Sequence, residues 1–144
     1  MSGIAIGLHG GCGTLSPNLQ TDAEWAESRT HMASALRAGW CISRSRRSAL
    51  DAVQAAVVVM EDSPHFNAGH GAALTEKSEH ELDASIMDGA SLAAGAVCTV
   101  RRVRNPVLAA RAVLDSGRAV LLAGEAADDF AASQGLVMVA PTYF

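Results

Sequence analysis

Glu81-Leu82-Asp83-Ala84-Ser85-Ile86-Met87 alternates its side chains, and Asp88-Gly89 then stops the pattern. A two-residue period is that of a pleated strand, and Asp-Gly is a pair that tight hairpin turns favour. From Ala94 to Val103 the chain returns as a second strand. Asn105-Pro106 follows, with Asn placed to cap a helix and Pro to fill its first position. Val107, Leu108, Ala110, Arg111 and Leu114 continue that helix, and Gly117 ends it. Ala119 to Ala123 reads as a third strand, and Glu125 to Ser133 as a short helix closed by Gly135. Strands and helices interleave around a central hairpin. That order fits an α/β or α+β layered fold better than a pure bundle or sandwich.

Toward the N-terminus, His65-Phe66-Asn67-Ala68-Gly69-His70-Gly71 is a glycine-bearing loop without periodicity. Before it, Ser48 is placed to cap a helix with Val53, Ala56, Val57 and Met60 on one face, ended by Pro64. Arg44-Ser45-Arg46-Arg47 separates that helix from a longer one. Thr21 or Asp22 caps the longer helix, which carries Trp25, Met32, Leu36 and Trp40 at mixed three- and four-residue spacing. Ile4-Ala5-Ile6-Gly7-Leu8 reads as a short buried strand that runs into His9-Gly10-Gly11-Cys12-Gly13.

Composition narrows the function classes. The 144 residues are 49% hydrophobic and 18% charged, which excludes a disordered tail. Aromatics are only 4%, so the core must be closely packed Ala, Val, Leu and Ile. The longest central apolar run, Ala55 to Met60, is far below the roughly 18 residues that a spanning helix needs. Neither a membrane nor a secretory signal is expected. The formal net charge of -4 opposes nucleic acid and anionic membrane alike. Lys77 is the sole lysine among 11 basic residues, and the arginines are not arrayed for phosphates. Cys12, Cys41 and Cys98 are far apart and form no Cys-x-x-Cys pair, so they are expected to be small buried hydrophobes in a reducing compartment.

Several segments invite chemistry and fail on context. Gly11-Cys12-Gly13-Thr14-Leu15-Ser16 lacks both the third glycine of a dinucleotide fingerprint and the Gly-Lys-Ser/Thr end of a triphosphate loop. Its glycines instead imply unusual backbone angles or a close approach to another part of the chain. Gly89-Ala90-Ser91-Leu92-Ala93 looks like a nucleophile elbow, but it follows a hairpin turn rather than joining strand to helix. Glu81, Asp83 and Asp88 are expected in turn and edge roles. His65 and His70 have no carboxylate at metalloprotease spacing. Asn67 is open: its short amide suits holding a ligand, and equally suits bonding its own loop backbone. The residues by themselves describe an incomplete active site or a binding module.

Seven segments in register resemble the plant-type asparaginase and isoaspartyl peptidase family of N-terminal-nucleophile hydrolases. They are His9-Gly10-Gly11, Ser48-Ala49-Leu50-Asp51-Ala52-Val53, Phe66-Asn67-Ala68-Gly69-His70-Gly71, Glu81-Leu82-Asp83-Ala84, Met87-Asp88-Gly89, Gly95-Ala96-Val97 and Asn105-Pro106-Val107-Leu108-Ala109-Ala110-Arg111.

The resemblance implies an α+β fold, a four-layer αββα sandwich of which this chain supplies about half. Residues 1–144 would be the α-subunit part of one domain, completed by a separate β chain cut from the same precursor. The implied activity is cleavage of L-asparagine and β-aspartyl (isoaspartyl) dipeptides to release L-aspartate, with an N-terminal Thr of the β chain as nucleophile. Asn67 would support the catalytic Thr or a nearby water, and Gly10 and Gly11 would form tight backbone beside the scissile region. Met60, Glu61, Ser63, Phe66, Ala68 and His70 would offer backbone carbonyls to a structural sodium ion; no other cofactor is implied. An (αβ)2 assembly and a cytoplasmic location complete the expectation. The rival reading is a non-catalytic small-ligand binding domain, or an inactive remnant of the same fold. A half-sandwich should leave an apolar strand face exposed.

Overall fold

Helix α1 (Asp22–Arg44) starts at a reciprocal cap. Glu24 N–H donates to Thr21 Oγ1 at 3.3 Å, and Thr21 N–H donates to Glu24 Oε2 at 2.7 Å. The Ser48 side chain likewise caps α2 (Ala49–Glu61), accepting from Asp51 N–H at 3.1 Å. The two helices pack as a pair, with Gly39 of α1 set against Ala52 and Ala56 of α2 and Ala35 of α1 packed with Met60 of α2. The computed structural model describes residues 3–11 and 21–144.

Small residues form the closest part of this contact, while Met32, Val59 and Met60 pack at its other end. Leu36, Trp40 and Val53 are each 39% exposed, contrary to the expectation that Val53 lies on the buried face. Close helix approach rewards a flat surface, which a β-branched or aromatic side chain would hold apart.

The hairpin forms as expected. β1 (Leu82–Met87) pairs antiparallel with β2 (Ala94–Val100), and Asp88 closes the turn by accepting from Ala90 and Ser91 N–H at 3.3 and 3.1 Å. β2 is shorter than Ala94–Val103. The register slips between Leu82 and Ala84, and Thr99 lies in the left-handed region at φ 52°. This bulge bends the strand and ends its pairing at Val100. Val103 then bridges Met138 in isolation.

α3 (Pro106–Ser116) ends at Gly117, left-handed at φ 62°, and leads to β3 (Leu121–Ala123), which pairs parallel with β2. α4 (Gly124–Ser133) follows, and a single 3-10 turn, Pro141–Tyr143, lies near the end. The sheet order is β1-β2-β3. The chain is α+β, and no described helix is long and apolar enough to cross a membrane.

α3 and α4 cover one face of the sheet. Leu82, Ile86, Val97, Val100, Ala110, Val113, Ala127 and Ala131 form the core between them. The opposite face carries Ser85 and Met87 of β1, Ala94, Ala96 and Cys98 of β2, and Leu121 and Ala123 of β3, as the register requires. Met87 is 57% and Leu121 56% exposed. Among the described residues, this largely apolar strand face is covered by no helix. Cys98 lies half-exposed on this face and Cys41 is exposed on α1, so neither is the buried hydrophobe expected; Cys12 lies outside the described residues.

Ile4–Leu8 is the other correction. No strand is assigned among the described residues there, and Ile4 is 54% exposed. A strand needs a neighbour to accept its backbone bonds, and no edge of the described sheet adjoins it. Its alternation does place Ile6, Leu8 and Gly10 half-buried.

The Asn67 loop as candidate active site

The loop after α2 is built by closing a short neck. His70 N–H donates to Glu61 O at 2.7 Å, and inside that closure Ala68 N–H donates to Phe66 O at 2.8 Å. Phe66 is 6% exposed and anchors the loop in a small core with Ala35 and Met60. Gly69 makes the neck possible, since a Cβ there would run into the backbone of Glu61. Gly69→Ala is expected to destabilise the protein by about 1–3 kcal/mol through this overpacking, measured as a fall in the denaturation midpoint.

Asn67 stands at the exposed tip. Its Oδ1 accepts from Ala73 N–H at 2.8 Å, so the amide does bond its own loop, six residues on. That bond assigns the oxygen and leaves the Nδ2 donor without a partner among the described residues. An oriented, accessible N–H donor is what a developing oxyanion or a nucleophile oxygen needs.

Gly10 meets the same loop from the other side. A Cβ on Gly10 would strike Met32 Cε and come within 2.8 Å of the Phe66 ring. Gly11 sits at φ 127°, a conformation that glycine alone adopts freely. Close approach and unusual angles both explain these two glycines; Gly13 lies outside the described residues. The structure thus brings Gly10 against the residue preceding Asn67.

Of the sodium candidates, the Met60, Glu61 and Phe66 carbonyls already accept from Ser63, His70 and Ala68 N–H. Carbonyl oxygens do gather here: Pro64 O and Phe66 O lie 2.5 and 2.7 Å from where a Gly71 Cβ would stand. Among the described residues, no group of three or more His, Cys, Asp or Glu is placed to hold a metal.

The Glu61 side chain is a feature that the sequence reading missed. It is 2% exposed, its Oε1 accepts from Val107 N–H at 2.8 Å, and its Oε2 is buried without a partner among the described residues. Asn105 is the N-cap of α3 by position, yet its side chain makes no cap bond. Glu61 supplies that bond from another helix, while Asn105 Nδ2 donates to Asp62 Oδ1 at 3.1 Å. A signal was present: two acidic residues at a helix C-terminus oppose its dipole, so they need donors from elsewhere. Burial pushes the Glu61 carboxyl up to about 8, against the pull of the Val107 N–H.

The other acidic candidates are structural. Asp83 Oδ1 accepts from Thr99 N–H at 2.7 Å and holds the bulge; Glu81 pairs with Arg101. Ser91 Oγ donates to Asp88 Oδ2 within the turn, so no nucleophile elbow exists there. The half-buried Arg111 ties α3 to α2, its Nη1 donating to Asp51 Oδ1 at 3.1 Å. Segments sixty residues apart thus meet as a brace for the helices that hold the loop.

The loop shaped by Gly69 thus presents one exposed amide, Asn67, at the end of α2. The sequence assigns the class of protein that owns it: residues 2–144 match the family model described as asparaginase, and the chain belongs to that family. Over its full length it is 41% identical to an isoaspartyl peptidase of Escherichia coli (strain K12), covering 45% of that protein. It is 41% identical to an isoaspartyl peptidase/L-asparaginase of Homo sapiens over 94% of this chain and 42% of the relative. A plant-type L-asparaginase of Pyrococcus abyssi (strain GE5 / Orsay) is 41% identical over 96% of this chain and 44% of the relative. The chain spans less than half the length of these curated relatives.

Proposed function

We propose that this chain is the α part of a self-processed amidohydrolase that cleaves L-asparagine and β-aspartyl dipeptides, releasing L-aspartate. The observation that carries the reading is the bare sheet face. Three strands are covered by helices on one side and present Met87, Ala96, Cys98 and Leu121 on the other. A second sheet, from the remainder of the precursor, would bury that face and complete a four-layer αββα sandwich. Two such αβ units would form an (αβ)2 assembly, in the cytoplasm. The substrates accord with the names of the relatives.

The chemistry proposed needs little from this chain. A Thr at the new N-terminus of the β chain attacks the side-chain amide carbon through its hydroxyl oxygen. Its own α-amine, with an ordinary pKa of about 7.7–8.0, takes the hydroxyl proton and passes it to the leaving nitrogen. The C–N bond breaks, and water then hydrolyses the acyl-enzyme. Asn67 Nδ2 would donate to the threonine oxygen or to the attacking water. The Gly10-Gly11 backbone lets the reacting end approach without colliding with a side chain. Carbonyls of Met60, Glu61, Ser63, Phe66, Ala68 and His70 would hold a sodium ion that stiffens the loop, since a hard cation takes oxygen donors.

The docking face supplies the test. Leu121→Glu alters an exposed residue and should leave this chain's own core intact. In the full-length precursor that this reading proposes, it should abolish asparagine hydrolysis and leave this part unassembled. Wild-type assembly and hydrolysis in Leu121→Glu would contradict the proposed second sheet.

A further inference from the structure

We infer that Tyr143, held beneath Arg104, is a positioning residue for the Asn67 amide; this rests on the reading of Asn67 given above. Asp62 and His70 are the two stems of the loop that carries Asn67. Arg104 Nε donates to Asp62 Oδ1 at 3.1 Å. The same guanidinium lies over the Tyr143 ring, 5.5 Å from its centroid. Tyr143 in turn stacks on His70, with ring centroids 5.1 Å apart and planes tilted by 33°. Asp62, Arg104, Tyr143 and His70 thus close a circuit across the neck, drawn from three separate stretches of chain.

Both ends of the circuit are fixed to rigid parts. Asn105 Nδ2 shares Asp62 Oδ1 at 3.1 Å, which ties that stem to the start of α3. Phe144 meets Tyr143 edge-on at 5.4 Å and packs against the main core. Phe66 pins the loop on the side before Asn67. On the side after it, His70 is exposed, and besides its backbone bond to Glu61 it has the Tyr143 ring. Tilting His70 would carry Asn67, three residues away, off its donor geometry. Displacements of about 1 Å at such a group are enough to slow a reaction roughly a hundredfold.

The test uses the processed, full-length protein. Tyr143→Ala should lower kcat for asparagine by roughly tenfold or more with KM changed less than about twofold. Tyr143→Phe keeps the ring and should restore turnover. In an Asn67→Ala background, Tyr143→Ala should cost nothing further, because its effect passes through Asn67. Amide hydrogen exchange at His70 and Ala73 should quicken in Tyr143→Ala. Unchanged exchange with unchanged kcat, or a loss fully additive with Asn67→Ala, would overturn the inference. Quickened exchange in a protein that hydrolyses no asparagine even as wild type would keep the grip on the loop and discard the proposed function instead.

Discussion

Asn67→Ala should cut turnover of asparagine by about 100-fold or more in the processed protein, with the assembly unchanged. Losing the donor that orders the threonine oxygen or its water leaves the reacting group misplaced, and a displacement of about 1 Å costs roughly a hundredfold. The structural cost should be small, because the bond from Ala73 N–H to Asn67 Oδ1 is solvent-exposed. Asn67→Asp separates the two roles. It keeps an acceptor for Ala73 but removes the Nδ2 donor, so the loop should stay closed while turnover still falls. Steady-state kinetics with size-exclusion chromatography read both quantities. Wild-type turnover in Asn67→Ala would remove Asn67 from the site.

Glu61 should give the protein a pH-dependent stability that Glu61→Gln lacks. Burial holds its carboxyl at about 8 in the fold, whereas the unfolded chain titrates near the ordinary 4.5. Between those values the folded protein keeps a proton that the unfolded chain has lost. Stability from this group is therefore full below about pH 4.5 and is lost as pH rises through about 8. The whole change is on the order of 3–5 kcal/mol. Glutamine keeps an oxygen for Val107 N–H and cannot ionise. Denaturant midpoints measured from pH 5 to 8 should fall with pH in the wild type more steeply than in Glu61→Gln. Parallel slopes would mean that Glu61 is already ionised in the fold.

The elements that the sequence showed were those with local causes. Ser48 and the Thr21–Glu24 pair cap their helices through bonds three residues apart, and Asp88 builds its turn from its own neighbours. The hairpin was legible because alternation and turn chemistry agreed. What escaped was set by distant partners. Nothing near Ile4 says whether a strand will find a neighbour. Nothing near Asn105 says that a glutamate 44 residues earlier will cap its helix. The short side chains that pack α1 on α2 carry weak hydropathy, so the larger Leu36 and Trp40 drew the apolar stripe to the wrong face.

The candidate site divides the same way. Gly10, Gly11 and Gly69 were conspicuous because backbone constraint leaves a mark in composition. Tyr143 and Arg104 left none, since each is an ordinary residue whose role depends on a neighbour far along the chain. Asp51 and Arg111 were visible only as motif members, and the structure gives their reason as a bridge between helices.

The central claim is that a reactive threonine on a second polypeptide completes this wall. N-terminal sequencing and intact mass of the protein purified from its whole gene, followed against the onset of asparagine hydrolysis, test it most directly. The account predicts two chains, the second beginning with Thr, and hydrolysis that appears as cleavage proceeds. A single uncut chain that hydrolyses asparagine, or hydrolysis by residues 1–144 alone, would contradict it.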